Sequence, residues 1–359
     1  MDTLIAPVTL APVNIIHIVY LAIALFGLVV IGDKARISSL RIILLLVVLL
    51  LAFNLLEENG IFLATSLITP IFTLGFGPAF YWFCRQLVYG DSPSSKKILL
   101  HLSPMLLALA FTQWPQAVIA IGSLSQIIYL SLALRLIGRY HKVTVQTCSN
   151  PEDVSIHWMT WILVLLLLLM LQDLVRLNLQ PLASIEWLKR WYFLNTCVYA
   201  TLTSYLIVMA IRQPELFERF GQLEFLAEKT EEAVSLDDQN AISLFQKVDS
   251  TIRKHELFKQ PRFSLRDLAT ETGIQEKTLS WIINHGAKRN FSEYINQLRI
   301  DAACTQLIET PPKTVLEIAF AVGFNSKSTF NAVFKKQTGL TPSQFCKTSG
   351  FITDINCEK

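Results

Sequence analysis

Thr314–Thr338 reads TVLEIAFAVGFNSKSTFNAVFKKQT, and its pattern decides how the rest of the chain is understood. Ile318, Ala319 and Val322 are three to four residues apart, which predicts one apolar face on a short helix. Gly323 is placed to end that helix, because glycine takes the positive φ of a tight interhelical turn without strain. Asn325 or Ser326 would cap a second helix that buries Phe330, Val333 and Phe334. The opposite face of that helix carries Lys327, Ser328, Asn331, Lys335 and Lys336, all donors and none acidic. A short helix, a glycine turn and a helix with a donor-rich outer face make the pattern of a helix-turn-helix that reads DNA.

The pattern occurs once before. Leu268-Ala269, three residues, then Gly273-Ile274 matches Ile318-Ala319, three residues, then Gly323-Phe324. The small alanine allows a close helix crossing and the glycine makes the turn. The second helix of this upstream copy is expected over Gln275–Asn284, burying Leu279, Ile282 and Ile283. Two copies are far more specific than one, since a single pattern of this kind arises often by chance.

On these residues, with the joining segment FSEYINQLRIDAACTQLI and the terminal GLTPSQF (Gly339–Phe345), Phe263–Lys347 resembles the DNA-binding domain of AraC/XylS-type bacterial transcription regulators. The resemblance covers about a quarter of the chain. It implies two small helix-turn-helix subdomains joined by a long helix, here about Phe291–Ile308. Tyr294, Ile295, Leu298, Ala302 and Leu307 of that helix would pack on both subdomains. The two recognition helices would enter successive major grooves about 34 Å apart. Carried over by motif, the base-reading positions fall on Lys277, Ser280 and Trp281 in the first unit and Lys327, Ser328 and Asn331 in the second. Trp281 departs from the family pattern, which often has a polar or basic residue there. It either stacks on a thymine methyl or sugar or fills the surface. Lys288, Arg289, Lys335 and Lys336 are assigned to phosphates, which position the protein without specifying sequence.

The composition points to a second, different environment. Apolar residues make up 52% of the chain and charged residues 16%, too apolar a balance for an ordinary soluble protein. Residues 1–211 hold 12 Lys and Arg and 9 Asp and Glu, whereas the shorter remainder holds 19 of each. The 6 cysteines form no CxxC pair and no metal-ligand spacing with histidine, and read as free thiols. No HExxH, GxSxG or P-loop pattern is present, so neither a catalytic constellation nor a cofactor is expected. Arg262–Lys347 carries 11 basic and 7 acidic residues, a modest excess that suits a phosphate-facing surface.

Seven apolar runs are expected to cross a bilayer, at about 14–32, 41–57, 64–84, 98–113, 116–136, 158–177 and 190–211, each near the ~20 residues that span ~30 Å. A soluble bundle would break such runs with a polar stripe, and ILVLLLLLML (Ile162–Leu171) has none. Basic residues in loops one, three and five outnumber those in loops two, four and six by 9 to 3. That bias puts the N-terminus outside and, after seven crossings, the C-terminal domain in the cytoplasm with the chromosome. Without a basic n-region or small-residue cleavage site, span one is expected to be retained. Short outer loops leave a signal to be detected within the helices or at their outer mouth. Glu57 and Glu58 close span two, and Asp173 and Arg176 lie one turn apart near the outer end of span six. Ionisable residues in spans are candidates for sensing, while snorkelling and interfacial solvation account for them equally simply. Pro70, Gly75, Gly77 and Pro78 fit a kink in span three.

The expected fold is therefore all-α. A seven-helix membrane sensor domain (1–211) precedes a cytoplasmic linker helix (212–238), a double helix-turn-helix domain (239–347) and a tail (348–359). In the linker Leu216, Phe220, Leu223, Ala227, Thr230 and Val234 form a heptad-like stripe, open to two readings. It lies against the DNA-binding domain or membrane surface, or it pairs with a second copy. Asp238–His255 is expected to be the first helix of the DNA-binding domain, burying Ile242, Phe245, Val248 and Ile252. The functional expectation is a bacterial inner-membrane, one-component transcription regulator. Its partners are double-stranded promoter DNA, the lipid bilayer, RNA polymerase and a second copy. The rival is a polytopic transporter or membrane enzyme with a C-terminal regulatory module. The lack of intramembrane charged pairs or inverted repeats argues against it.

Overall fold

The computed structural model describes residues 12–32, 38–58, 67–90, 93–149, 155–212, 238–308 and 314–348. Among them every regular element is a helix, and Cys148 and Ser264 form an isolated antiparallel bridge. The chain divides into two compact units. One comprises Met1–Gly138 with Ile156–Gln222, the other Arg139–Ser155 with Leu223–Lys359.

The first unit holds α1 (Pro12–Ile31), α2 (Ser38–Glu58), α3 (Thr73–Tyr89), α4 (Ser95–Leu107), most of α5 (Pro115–Thr147), α6 (His157–Leu179) and α7 (Ile185–Arg212). Among the described residues these seven helices overlap the seven expected apolar runs, and five of them, α1, α2, α5, α6 with its following turn, and α7, are long and apolar enough to cross a membrane. The other two are shorter, 17 residues in α3, which a 3-10 turn precedes, and 13 in α4, which a 3-10 turn follows. Pro78 is accommodated inside α3 and Pro104 inside α4.

Packing in this unit is by small residues and aliphatic side chains. α1 lies against α2 and α7, and α2 against α3. Tyr20, Ala24, Val47, Leu51 and Ala200 form a common core, where the Tyr20 hydroxyl meets Thr203 Oγ1 at 2.8 Å. A Cβ on Gly122 of α5 would come within 1.9 Å of Thr73 Oγ1 in α3, so the two helices touch there through the absence of a side chain. The outward surfaces are apolar: Val29 is 79% exposed and Trp161 73%. α5 is longer than expected, 33 residues instead of a single span, which at ~1.5 Å per residue gives about 50 Å.

The second unit is built on α8 (Asp238–Lys254), α9 (Leu265–Thr272), α10 (Glu276–Gly286), α11 (Phe291–Ile308), α12 (Val315–Ala321), α13 (Lys327–Thr338) and α14 (Pro342–Thr348). Two apolar cores lie along α11. Phe291, Tyr294, Ile295 and Leu298 enter the first with Leu268, Leu279, Ile282 and Ile283. Ile300, Ala303 and Leu307 enter the second with Ile318, Val322, Phe330 and Phe334. Ala302 touches both. α8 packs on α10, with Val248 and Ile252 buried and the Phe245 ring against the place where Gly286 lacks a Cβ. Ile242 corrects the expectation for this helix. It is 58% exposed, a turn beyond that contact at the helix's open end.

Residues 139–149 also belong to this unit. Ser149 is fully buried; its N–H donates to Phe263 O at 3.2 Å and its carbonyl accepts from Asn296 Nδ2 at 3.1 Å. The apolar stripe expected between Leu216 and Val234 lies outside the described residues.

Candidate nucleic-acid interface

Both helix-turn-helix units are assembled in the same way. The first helix of each begins with a capping box, Ser264 with Asp267 in α9 and Thr314 with Glu317 in α12. In each, the N-cap hydroxyl accepts from the backbone N–H three residues on, and the acidic side chain accepts from the N-cap N–H, so two open donors of the first turn are satisfied. Nine residues after each cap stands a glycine in the left-handed region, Gly273 at φ 68° and Gly323 at φ 99°. These turn the chain into α10 and α13.

α13 has the expected faces. Phe330 and Phe334 are fully buried and Val333 packs beside them. Ser326 is the N-cap, its Oγ accepting from Thr329 N at 3.1 Å. Lys327 and Ser328 are exposed at the first two positions of the helix. Asn331, one turn on, is half-buried, with an amide oxygen enclosed and without a hydrogen-bond partner among the described residues. Lys335 and Lys336 are exposed in the last turn, and Lys336 Nζ lies 3.9 Å from Glu293 Oε1.

α10 presents less of its outer face. Lys277, Ser280 and Trp281 are all half-buried. Trp281 packs against the first core and stacks on His285 at 4.5 Å between centroids, and the His285 ring Nδ1 lies 2.9 Å from the Trp281 carbonyl oxygen. Lys288 and Arg289 lie in the loop after α10, exposed, with Arg289 Nη1 donating to Gln297 Oε1 at 3.0 Å.

Sequence reasoning missed the residue that ties the two units together. Arg299, in the middle of α11, is fully buried. Its Nε donates to Phe258 O at 2.6 Å and its Nη2 to Gln260 O at 2.9 Å, both in the turn after α8. The same guanidinium sits 5.4 Å from the centre of the Phe324 ring, in the turn of the second unit. Beside it, a Cβ on Gly323 would lie 2.8 Å from Lys259 O, so the second glycine turn abuts the backbone of the first subdomain. Tyr294 donates to Asp249 Oδ1 and so fixes α11 to α8, while Arg253, on α8 itself, donates to the same oxygen. Burial, with Asp249 beside it, pushes the Tyr294 hydroxyl well above its usual range, so it remains a donor.

Three of the four candidate sensing residues connect to α7, Asp173 and Arg176 through Tyr192 and Glu58 through His17, whereas Glu57 turns to the segment before α3. Glu57 accepts from Ile68 N at 2.6 Å and Thr69 N at 3.0 Å, capping the 3-10 turn that leads into α3. Glu58 Oε1 lies 3.4 Å from His17 Nδ1, and His17 Nε2 faces Thr196 Oγ1 at 3.5 Å. Asp173 Oδ1 accepts from Arg176 Nε at 2.6 Å, and Arg176 Nη1 donates to Tyr192 OH at 2.8 Å. Arg176 is buried within the helix packing at 4% exposure, turned inward where interfacial snorkelling would turn it out, and its pair with Asp173 corrects the expectation that the apolar helices hold no charged pair. Tyr192 and Thr196 are successive turns of α7, so the two clusters adjoin it one above the other.

Residues 268–348 match the family described as a helix-turn-helix domain. The chain is 41% identical over 102 residues to the uncharacterized transcriptional regulatory protein YesN of Bacillus subtilis, 24% of this chain and 28% of that one. It is 28% identical over 126 residues to the HTH-type transcriptional activator RhaR of Salmonella dublin, 35% of this chain and 44% of that protein. A solved structure, of a protein of unknown function from Listeria innocua, aligns at 29% identity over 29% of this chain and 94% of its own length, with a TM-score of 0.26. The chain thus spans less than half of these two regulators. Residues 268–348 are a helix-turn-helix domain of the AraC type, similar to those of transcriptional regulators.

Proposed function

We propose that this chain is a membrane-bound, one-component transcription regulator of bacteria. In this reading the seven helices of the first unit all cross the inner membrane, with the N-terminus outside. The second unit reads promoter DNA in the cytoplasm through α10 and α13 and acts with RNA polymerase. A signal sensed at Glu57, Glu58, Asp173 or Arg176 changes helix packing around α7, and the change alters how DNA is bound. Pairing of two copies through the Leu216–Val234 stripe is one route for that change.

The observation that carries the proposal is the coexistence of two surfaces on one chain. α13 buries both phenylalanines and holds Lys327 and Ser328 outward, as a recognition helix does. The helices of the first unit hold Val29, Leu45 and Trp161 outward, which suits lipid and not water. The test is enrichment of DNA fragments from the host genome by the full chain in lipid nanodiscs. A defined sequence should be selected, and Lys327→Ala with Ser328→Ala should abolish the selection in a folded protein. Recovery of no preferred sequence would refute the reading.

A further inference from the structure

A cavity of about 710 Å³ opens between α3, α4 and α5, and none of the four sensing candidates lines it. That volume is in the range of small-molecule sites, roughly 300–1,000 Å³. Its two ends differ in chemistry. Arg85 and Lys97 stand at the end nearest the turn between α3 and α4. Ile121, Leu124 and Ile128 line the side towards the start of α5, each more than half exposed. Between the ends His101 Nδ1 and Tyr129 OH are 2.6 Å apart, with the Trp82 ring edge-on to the imidazole at 5.3 Å. No acidic residue is among the described lining residues. Two cations and a histidine–tyrosine pair beside an aliphatic wall make a site that is polar and positive at one end and oily at the other.

The geometry points to a binding site for an amphiphilic anion: a carboxylate or phosphate head between Arg85 and Lys97, and an apolar chain along α5. A guanidinium and an ammonium together hold such a head by charge-assisted hydrogen bonds. The His101–Tyr129 pair marks the depth at which the polar part of the ligand ends. As the signal site of the regulator this rests on the function proposed above; as a binding site it stands by itself. The ligand is either a lipid of the bilayer or a free amphiphile entering from outside it.

The test measures binding without DNA. The full chain, in nanodiscs of zwitterionic lipid, is titrated with dodecanoate, dodecyl phosphate and the neutral dodecanol, and crosslinked with a photoreactive dodecanoate. Both anions should bind at least tenfold more tightly than the alcohol, and crosslinks should fall within residues 81–132. Arg85→Gln with Lys97→Gln should weaken anion binding about ten- to a hundredfold. Ile128→Trp, at an exposed position that fills the cavity, should abolish the crosslink and serves if the double variant does not fold. Mass spectrometry of the chain purified from cells separates the sources. A retained anionic phospholipid, lost in the double variant, identifies the bilayer; an empty site filled by added dodecanoate identifies a free ligand. Equal affinity for dodecanol and dodecanoate, or unchanged affinity in a folded double variant, overturns the site. Failure of DNA selection with anion binding intact would sink the regulator and leave this site standing.

Discussion

Replacing Arg299 by methionine, which keeps much of its length but removes every donor, tests whether the two helix-turn-helix units act as one rigid reader. The substitution leaves Phe258 O and Gln260 O inside the protein without the guanidinium that now serves them. Each hydrogen bond from a charged donor contributes about 1.5–3 kcal/mol. Relief of the buried charge's desolvation, itself several kcal/mol, offsets part of that loss. The net expected cost is about 2–4 kcal/mol, a large share of the ~5–15 kcal/mol that holds a domain together. It should lower the melting temperature of the second unit by roughly 10–20 °C. Cys346, 3% exposed in the second core, is the reporter. Pulse labelling of its thiol during heating, read by mass spectrometry on the full chain, gives the unfolding of that core directly. A second arm addresses function. On DNA with the two half-sites moved apart by half a helical turn, the native protein should lose most of its affinity, and the variant much less, because its units are no longer held in register. If Arg299→Met left both the labelling temperature and the spacing preference unchanged, the tie between the units would be refuted.

Gly323→Ala should act on the same joint from the other side. With φ at 99° and backbone oxygen 2.8 Å from the new Cβ, it should cost at least ~1–3 kcal/mol and weaken DNA binding, checked by gel shift of the full chain. Lys327→Ala or Asn331→Ala should lower discrimination between a target and a mutated site by ~1–3 kcal/mol, measured as a ratio of affinities on paired probes. Lys336→Ala should weaken both sites alike and reduce the salt slope by about one ion in a binding series over salt concentration. A reporter that fluoresces only in the cytoplasm should be bright when fused after Arg212 and dark after Asn59. Asp173→Ala or Arg176→Ala should change promoter output while membrane insertion, read by the same reporter, is unaltered.

Periodicity was enough to find α8, α9, α10, α12 and α13 of the second unit, because short amphipathic helices bury one face and the pattern repeats it, while α14 was not foreseen. Phe291–Ile308 is found where the family resemblance put it, and its apolar positions serve two cores in turn. The matching capping boxes at Ser264 and Thr314 were also there to be read, each nine residues before its glycine, and would have strengthened the duplication. Arg299 was not legible. A lone arginine in a mixed helix reads as solvated, and its acceptors are backbone carbonyls 41 and 39 residues away. Arg176 misled in the same way, since hydropathy reports how deep a charge lies but not which way it turns. The faces of α10 show the limit from the other side: Trp281 sits at a recognition position by motif yet rests partly on the core.

The contact between Ser149 and Asn296 joins residues 147 positions apart. A ribosome therefore delivers the second unit in two instalments. The short first piece, ending in Ser149, emerges and waits while the whole of α6 and α7 is made. Phe263 and Asn296 arrive later and close around it. The unit cannot reach its final form until the last third of the chain has left the tunnel. A protein cut at residue 212 would keep every recognition residue yet expose Asn296 and the edge at Phe263 to water. Cut and whole forms should thus differ in hydrogen exchange at Phe263 and Ser264.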